Sequence, residues 1–429
     1  MAMRRKVSFA LAGLCYVAWV FMATSFSISS VSNAADLPQG TAAGDMNLSP
    51  FYRWSGYLSD TGGTLLKEEA FTTQQDMPAA KESVRILYSS TDARWDSGEV
   101  PVSAALFLPL GEPPAEGWPL LAWAHGTLGI ADVCAPSWTG FRDRDAVYLN
   151  SWLEQGFAVV ATDYQGLGGL GPHPYSVWQA EGRSVLDSIR AAQAARPNII
   201  STRSFIAGQS QGGGAALGAA TLASVYAPEL DILGAIVSGP NTTFPDGPVD
   251  LSVRDTDTIF LRLASGGLKS GALPLVSILT EKGLQLLSVA RKGCTRDIRL
   301  KARELAVGSF SDVLAISLQD LQSMSISTTD MQGTSIGFPL LIASGKSDRT
   351  ITPIRQYAVA AALCAAGNNV VWLLLEGMGH DGAMHASLAD AFSFANARLA
   401  GETPLSNCAD IQPPGPPSER DPKAIFNDD

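Results

Sequence analysis

Residues 204–217 read Ser204-Phe205-Ile206-Ala207-Gly208-Gln209-Ser210-Gln211-Gly212-Gly213-Gly214-Ala215-Ala216-Leu217. A short apolar run gives way to a glycine-rich turn and then to an alanine- and leucine-rich stretch. The spacing predicts a buried strand over 204–207 and a helix over 212–227, joined by a sharp turn at Ser210. A serine on such a turn needs small neighbours, so that the strained backbone fits and the hydroxyl stands clear of the sheet. The helix behind it aims a positive dipole end and free amides at the same spot, which suits a developing oxyanion. A phosphate loop would want Lys followed by Ser or Thr after the glycines, and neither is present. Ser210 is therefore the candidate nucleophile. A second Gly-x-Ser-x-Gly string, Gly333-Thr334-Ser335-Ile336-Gly337, runs into Phe338-Pro339, where a strand begins and no helix can follow; Ser335 reads as a linker serine.

Outward from this turn, apolar β-rich segments recur at 84–88, 104–108, 120–124, 158–162, 232–237, 340–343 and 370–375. Most of the later ones are continuous apolar runs, as strands buried on both faces are. Helical patterns lie between them, such as 182–195 with Val185, Leu186 and Ile189 on one face. This alternation predicts an α/β fold, a mostly parallel sheet with helices on both sides. Between about 241 and 337 no buried strand is evident, and 273–290 and 295–306 read as helices. We take 241–337 as a helical cap inserted into a core made of 35–240 and 338–400. The tail, 401–429, turns polar and Pro-rich through Pro413-Pro414-Gly415-Pro416-Pro417, which predicts an extended or disordered segment beyond Cys408.

A serine hydroxyl needs a base to take its proton and an acid to orient that base, and on this kind of sheet the chain order is Ser, acid, His. Of four histidines, His380 and His385 follow Ser210. His380 sits in a glycine-flanked loop, Gly377-Met378-Gly379-His380-Asp381-Gly382, just after the strand at 370–375, where sheet enzymes keep their chemistry. His385 lies in a helical stretch over 383–397 and reads as a packing or surface residue. Asp348 follows the strand at 340–343; it either caps the helix that Pro353 introduces or serves as the acid, and its position before His380 favours the acid. Asp381 adjoins His380 in sequence and so points away from its imidazole. The oxyanion donors are the amide after the nucleophile, Gln211, and an amide of the early strand-end loop His125-Gly126-Thr127, assigned to Thr127. His125 is then a structural residue of that loop.

The composition, 46% apolar and 17% charged over 429 residues, suits one large core carrying an insertion. The chain opens with Arg4-Arg5-Lys6, an apolar run over 7–26 and a small-x-small site ending at Ala34, which predicts a signal peptide over 1–34 and export to the periplasm or beyond; an uncleaved membrane anchor is the alternative. Cys15 lacks the preceding small residue of a lipoprotein site. Cleavage removes three basic residues and no acid, so the formal charge goes from −11 to −14. Such a chain repels phosphate backbones, which excludes nucleic acid as a partner. Four cysteines remain, Cys134, Cys294, Cys364 and Cys408, enough for two disulfides in any of three pairings. None has metal-ligand spacing, so no metal site is expected.

Several pieces of the chain resemble the secretory lipases related to lipase A of Candida antarctica. They are Ser49-Pro50-Phe51-Tyr52, His125-Gly126-Thr127, Cys134-Ala135-Pro136-Ser137, Asp163-Tyr164-Gln165-Gly166-Leu167-Gly168 with Gly171-Pro172-His173-Pro174-Tyr175, then 208–213, 345–353 and Gly379-His380. The resemblance covers about residues 49–400. It implies an α/β-hydrolase core with a helical cap, disulfides Cys134 to Cys294 and Cys364 to Cys408, and hydrolysis of triglycerides or smaller esters without metal or organic cofactor. The cap segment departs from what can be matched, which leaves acyl-chain preference open. Tyr164 is a candidate substrate-binding residue, against the alternative that Asp163 braces neighbouring loops.

The expectation is thus an exported serine carboxylic-ester hydrolase, a lipase or esterase, with no obligate protein partner. The cap leucines Leu284, Leu286, Leu287 and Leu300 either touch a lipid surface transiently or form the cap's own core. Rival readings are an acyltransferase or a serine peptidase with the same triad, and a non-catalytic binding protein on this fold.

Overall fold

The computed structural model describes residues 48–71, 77–243, 251–266, 275–324, 331 and 333–427; the expected signal peptide over 1–34 lies outside them. Nine strands form one sheet: β1 (Leu65–Ala70), β2 (Ala80–Thr91), β3 (Glu99–Pro109), β4 (Trp118–Ala124), β5 (Ala158–Thr162), β6 (Ile200–Gln209), β7 (Asp231–Ser238), β8 (Leu340–Gly345) and β9 (Val370–Leu375), in the order β1-β2-β3-β5-β4-β6-β7-β8-β9. From β5 onward every neighbouring pair is parallel, whereas β1, β2 and β3 join by antiparallel pairing. All eight segments read as strands from the sequence are strands. The ninth, β1, reads Leu65-Leu66-Lys67-Glu68-Glu69-Ala70 and carries no alternation. It forms because β2 supplies a partner, and its charges protect a sheet edge.

Each face of the sheet has its own core. On one, Leu120, Ala122, Val160, Ile206, Val237 and Ile342 pack under the helices Trp178–Ala195, Gln211–Tyr226 and Pro353–Ala365. On the other, Leu121, Trp123, Val159, Phe205 and Leu341 meet Trp152 of the helix Asp143–Glu154 and Phe394 of the helix Leu388–Leu399. The alternation along each strand sends neighbours to opposite cores, which is why these strands are apolar throughout. The helices Trp178–Ala195 and Gln211–Tyr226 cross where Gly182 meets Gly218; a β-carbon at 182 would lie 2.7 Å from the Ala219 amide nitrogen.

Between β7 and β8 the described residues hold the helices Thr256–Ala264, Glu281–Ala290, Thr295–Glu304 and Leu318–Met324 and no strand. They enclose a third apolar cluster in which Leu286 and Leu287 are fully buried and Leu284 is partly so, while Leu300 is half exposed. The helix expected over 273–290 starts only at Glu281 in the described residues, because the Thr280 hydroxyl caps it by accepting from Gly283 N. The stretch 383–397 is likewise two helices, Gly382–Ala386 and Leu388–Leu399. Among the described residues no helix is long and apolar enough to cross a membrane.

Both disulfides, Cys134–Cys294 and Cys364–Cys408, are formed. The tail beyond Cys408 has no helix or strand up to Asn427, yet it is held in place and not disordered. Asn407 first pairs with the outer edge of β9, its N–H donating to Val370 O at 3.1 Å and its side-chain oxygen accepting from Trp372 N at 2.9 Å. Low hydrophobicity alone predicts an extended or disordered segment; it is extended, and side-chain to backbone bonds supply the order that a core does not. Replacing Cys364 and Cys408 together by serine opens a cross-link spanning 44 residues and is expected to lower the unfolding free energy by about 2–4 kcal/mol. The urea midpoint reads this, and an unchanged midpoint would mean that the bonds along β9 hold the tail unaided.

Candidate active site

Ser210 stands at the end of β6 as the N-cap of the helix Gln211–Tyr226, with φ 61° and ψ −121°. A non-glycine residue in that region is strained and persists only where its surroundings over-determine it. They do so here: a β-carbon at 208 would overlap the Gly212 carbonyl, and one at 212 would overlap the Ala124 carbonyl at the end of β4. The glycines of the string are steric requirements of the turn. The Ser210 amide donates to Ser238 O at 3.0 Å, and its carbonyl accepts from Gly214 N and Asn241 N.

Asp348 and His380 lie beyond the C-terminal ends of the adjacent parallel strands β8 and β9. The His380 Nδ1–H donates to Asp348 Oδ2 at 2.7 Å, with both residues buried. A carboxylate can only accept, so this bond puts the proton on Nδ1 and the lone pair on Nε2. Asp348 Oδ1 accepts from the amides of Thr350 and Ile351 at 2.8 and 2.9 Å, and Oδ2 also accepts from Gln356 Nε2 at 2.8 Å. The aspartate thus holds its own turn with one oxygen and the histidine with the other, while Thr352 takes the N-cap of Pro353–Ala365.

Two contacts join the serine turn to this pair. Gln209 Nε2 donates to His380 O at 3.4 Å, and a β-carbon at Gly239, one residue past the carbonyl that holds Ser210, would lie 2.9 Å from His380 Nδ1. Arg144 Nη2 donates in turn to Gln209 Oε1 at 3.0 Å, and Arg144 also pairs with Asp381. Asp381 accordingly turns from the imidazole toward a guanidinium. Asp145 is buried beside it; burial pushes its carboxyl up, but Arg144 and Arg142 outweigh that and hold it below its ordinary range.

The loop 125–127 leaves β4, which pairs Ala124 with Gly208, and so runs alongside the serine turn. Gln211 is the first residue of its helix, where an amide has no intrahelical acceptor. Thr127 is half buried, and its hydroxyl shares a 2.9 Å hydrogen bond with Tyr175. His125 is buried with Nδ1 2.7 Å from Gly126 O, and burial pushes its pKa down to about 4, which fits a structural residue. Tyr164 is fully buried at φ 70°, and its hydroxyl donates to His125 O at 2.8 Å. It stands behind the loop and presents no surface to a ligand, while Asp163 binds Ser103 and Ser137 and braces the segment after Cys134. Ser335 is exposed in an irregular segment before β8. His385 is buried, with its ring 4.7 Å from that of Phe426 and its pKa pushed down to about 4 by burial.

Glu181 was not legible in the sequence as part of the site. On the first turn of Trp178–Ala195, it accepts from Ser176 N and from the Gln211 side chain at 2.8 and 2.7 Å. The Gln211 side chain also reaches His173 Nε2 at 2.8 Å, and His173 Nδ1 is 2.9 Å from Gln165 O. Burial pushes Glu181 up to about 8, and burial of the ring pushes His173 down to about 3. No group of three or more His, Cys, Asp or Glu among the described residues could hold a metal ion.

A mostly parallel sheet with a strained serine at its central strand-to-helix turn, and an Asp–His pair at the following strand ends, defines the α/β-hydrolase class. The chain belongs to the secretory lipase family, whose model matches residues 135–407. It is 27% identical to a Mycobacterium tuberculosis protein named a probable inactive lipase, over 75% of each chain. It is 25% identical to a secreted triacylglycerol lipase of Malassezia globosa, over 84% of this chain and 82% of that one. The closed-state structure of Candida antarctica lipase A superposes with a TM-score of 0.63 at 21% identity, covering 87% of this chain and 89% of that one.

The Glu181 carboxyl carries a pH signature. Near its ordinary value of 4.5 the unfolded chain releases the proton, whereas the folded chain keeps it to about 8. Stability attributable to this group is therefore full below about 4.5 and is lost as pH rises toward 8. Glu181→Gln keeps an acceptor for Ser176 without that proton. Its thermal midpoint should gain on wild type between about pH 5 and about pH 8; a constant difference would mean that Glu181 is ionised throughout.

Proposed function

We propose that this chain is an exported carboxylic-ester hydrolase, a lipase or esterase of acylglycerols or other lipophilic esters, working through an acyl-enzyme on Ser210. The observation that carries this reading is the 2.7 Å bond from His380 Nδ1 to Asp348 Oδ2, made at strand ends beside the strained Ser210 turn. In this reading Ser210 Oγ bonds to the ester carbonyl carbon while its proton passes to His380 Nε2, and Asp348 stabilises the resulting imidazolium. The carbonyl electron pair moves to oxygen, where the amides of Thr127 and Gln211 receive it. Collapse breaks the bond to the alkoxy oxygen, which leaves with the proton from His380. Water then attacks the acyl carbon, giving its proton to the same nitrogen, and the acid departs as Ser210 is reprotonated.

Membership of the secretory lipase family supports ester hydrolysis and export, and it agrees with the signal peptide read over 1–34. One relative is named a probable inactive lipase, so possession of the family fold does not by itself establish turnover; here Ser210, Asp348 and His380 are all present. No metal or organic cofactor enters the scheme. We read 241–337 as the cap over the site. Its leucines Leu286 and Leu287 are interior and Leu284 is packed partly buried against them, which leaves Leu300, half exposed, as the most open of the four to a lipid surface. Tyr164 acts in this scheme through the His125 carbonyl.

The test is a p-nitrophenyl ester series from acetate to palmitate on the mature chain, with Ser210→Ala, His380→Ala, Asp348→Asn and Ser335→Ala beside it. Ser210→Ala and His380→Ala should each lower kcat by about 10⁴-fold or more, and Ser335→Ala should match wild type. An inert wild type, or full activity in Ser210→Ala, would overturn the assignment.

A further inference from the structure

The chain beyond Cys408 returns to the two loops that carry Asp348 and His380, and it reaches them with side chains that serve as hydrogen-bond partners for the backbone. Ser418 O accepts from Ser347 Oγ at 2.7 Å and Ser418 N donates to Lys346 O at 3.3 Å, on the acid loop. Ser418 Oγ accepts from Gly377 N at 2.8 Å, on the base loop. Asp421 N donates to Gly377 O at 2.8 Å. Asn427 ends the run, buried, with Oδ1 accepting from Gly379 N at 2.6 Å and Nδ2 donating to Gly377 O and Asp421 O at 2.9 and 2.7 Å. Gly382 makes room for it: a β-carbon there would overlap Asn427 Oδ1. The neighbouring Phe426 ring lies 4.7 Å from that of His385.

We propose that the segment 412–427 is a strap that positions the catalytic pair, with Asn427 as the positioning residue for His380. This rests on the reading of His380 as the general base. The base loop needs such a device. With glycines at 377, 379 and 382 it has wide backbone freedom, and the amide that Asn427 holds belongs to the residue directly before His380. The Asn427 side chain spans the loop from Gly377 to Gly379, and Ser418 ties the same loop to the residue directly before Asp348. The Asp348–His380 distance is therefore set from outside as well as by its own hydrogen bond. The family match covers residues 135–407 and does not extend over the strap.

Three variants of the mature enzyme test this: Asn427→Ala, a truncation after Ile411 that keeps the Cys364–Cys408 disulfide, and His380→Ala. Competent sites are counted by stoichiometric reaction with a fluorophosphonate, and kcat is expressed per counted site on p-nitrophenyl butyrate. Displacing a positioned base should lower kcat per site by about ten-fold in Asn427→Ala and more in the truncation, with KM within about two-fold. A loosened imidazole is less well stabilised when charged, so the acidic limb of the kcat/KM profile should move down by roughly half a pH unit. Fewer countable sites at unchanged kcat per site and an unchanged limb would make the strap a stabilising feature only and would overturn the inference. Retained turnover in His380→Ala would instead remove the base assignment beneath it.

Discussion

The closest approach in the molecule that matters most is between the α-carbon of Gly212 and the Ala124 carbonyl at the end of β4. A helix can follow β6 immediately only if its first turn is driven into the adjoining strand end, and only a residue without a β-carbon permits this. That contact bends the chain at Ser210 into its strained conformation. It brings the loop 125–127 beside Gln211, and it leaves the Ser210 amide against Ser238 at the end of β7. The ends of β4, β6, β7 and β8 are thereby drawn to one place, and the loops that carry Thr127, Ser210 and Asp348 leave from there.

Around that turn the protein buries many polar groups, and three of the buried carboxyls, Asp145, Asp163 and Glu181, meet different surroundings. Asp145 keeps its charge because Arg144 and Arg142 face it. Asp163 is pushed up to about 6 by burial, against hydrogen bonds from Ser103 and Ser137. Glu181 meets only hydrogen-bond donors and a histidine that burial keeps neutral, so its proton stays on well above the usual carboxyl range. The three sit behind the base loop, the segment after Cys134 and Gln211 respectively. A buried polar group holds its neighbours only when its partners are in place, so these networks fix loops that apolar packing would leave free to slide.

The helices between β7 and β8 are tied to the same region. Cys294, N-cap of Thr295–Glu304, is cross-linked to Cys134 and pairs with Gly129, and Thr295 N donates to Leu128 O at 2.7 Å. Tyr175 packs in the apolar cluster of these helices while its hydroxyl meets Thr127. The Thr295–Glu304 end is thus linked by covalent and hydrogen bonds to the segment 127–134, which includes the loop assigned to the oxyanion.

Strand positions, the serine turn and the chain order of Ser210, Asp348 and His380 were readable from residue type and local spacing. Each depends on neighbours within a few positions: apolar runs long enough for a strand, glycines where a β-carbon cannot fit, a loop directly after a strand. What the tertiary structure decided lies in contacts between residues far apart in the chain. The edge strand β1 exists only because β2 is there to pair with it. Tyr164 was legible as a neighbour of the site, but its hydroxyl turns to His125 O, a choice made by packing. Glu181, Gln209, Gln356 and Asn427 act through side chains that meet backbone or polar groups in other elements, and nothing in their own neighbourhoods marks them. The Pro-rich end reads as extended or disordered by composition because composition counts apolar burial, whereas its order comes from hydrogen bonds to two loops whose meeting point only the folded sheet defines.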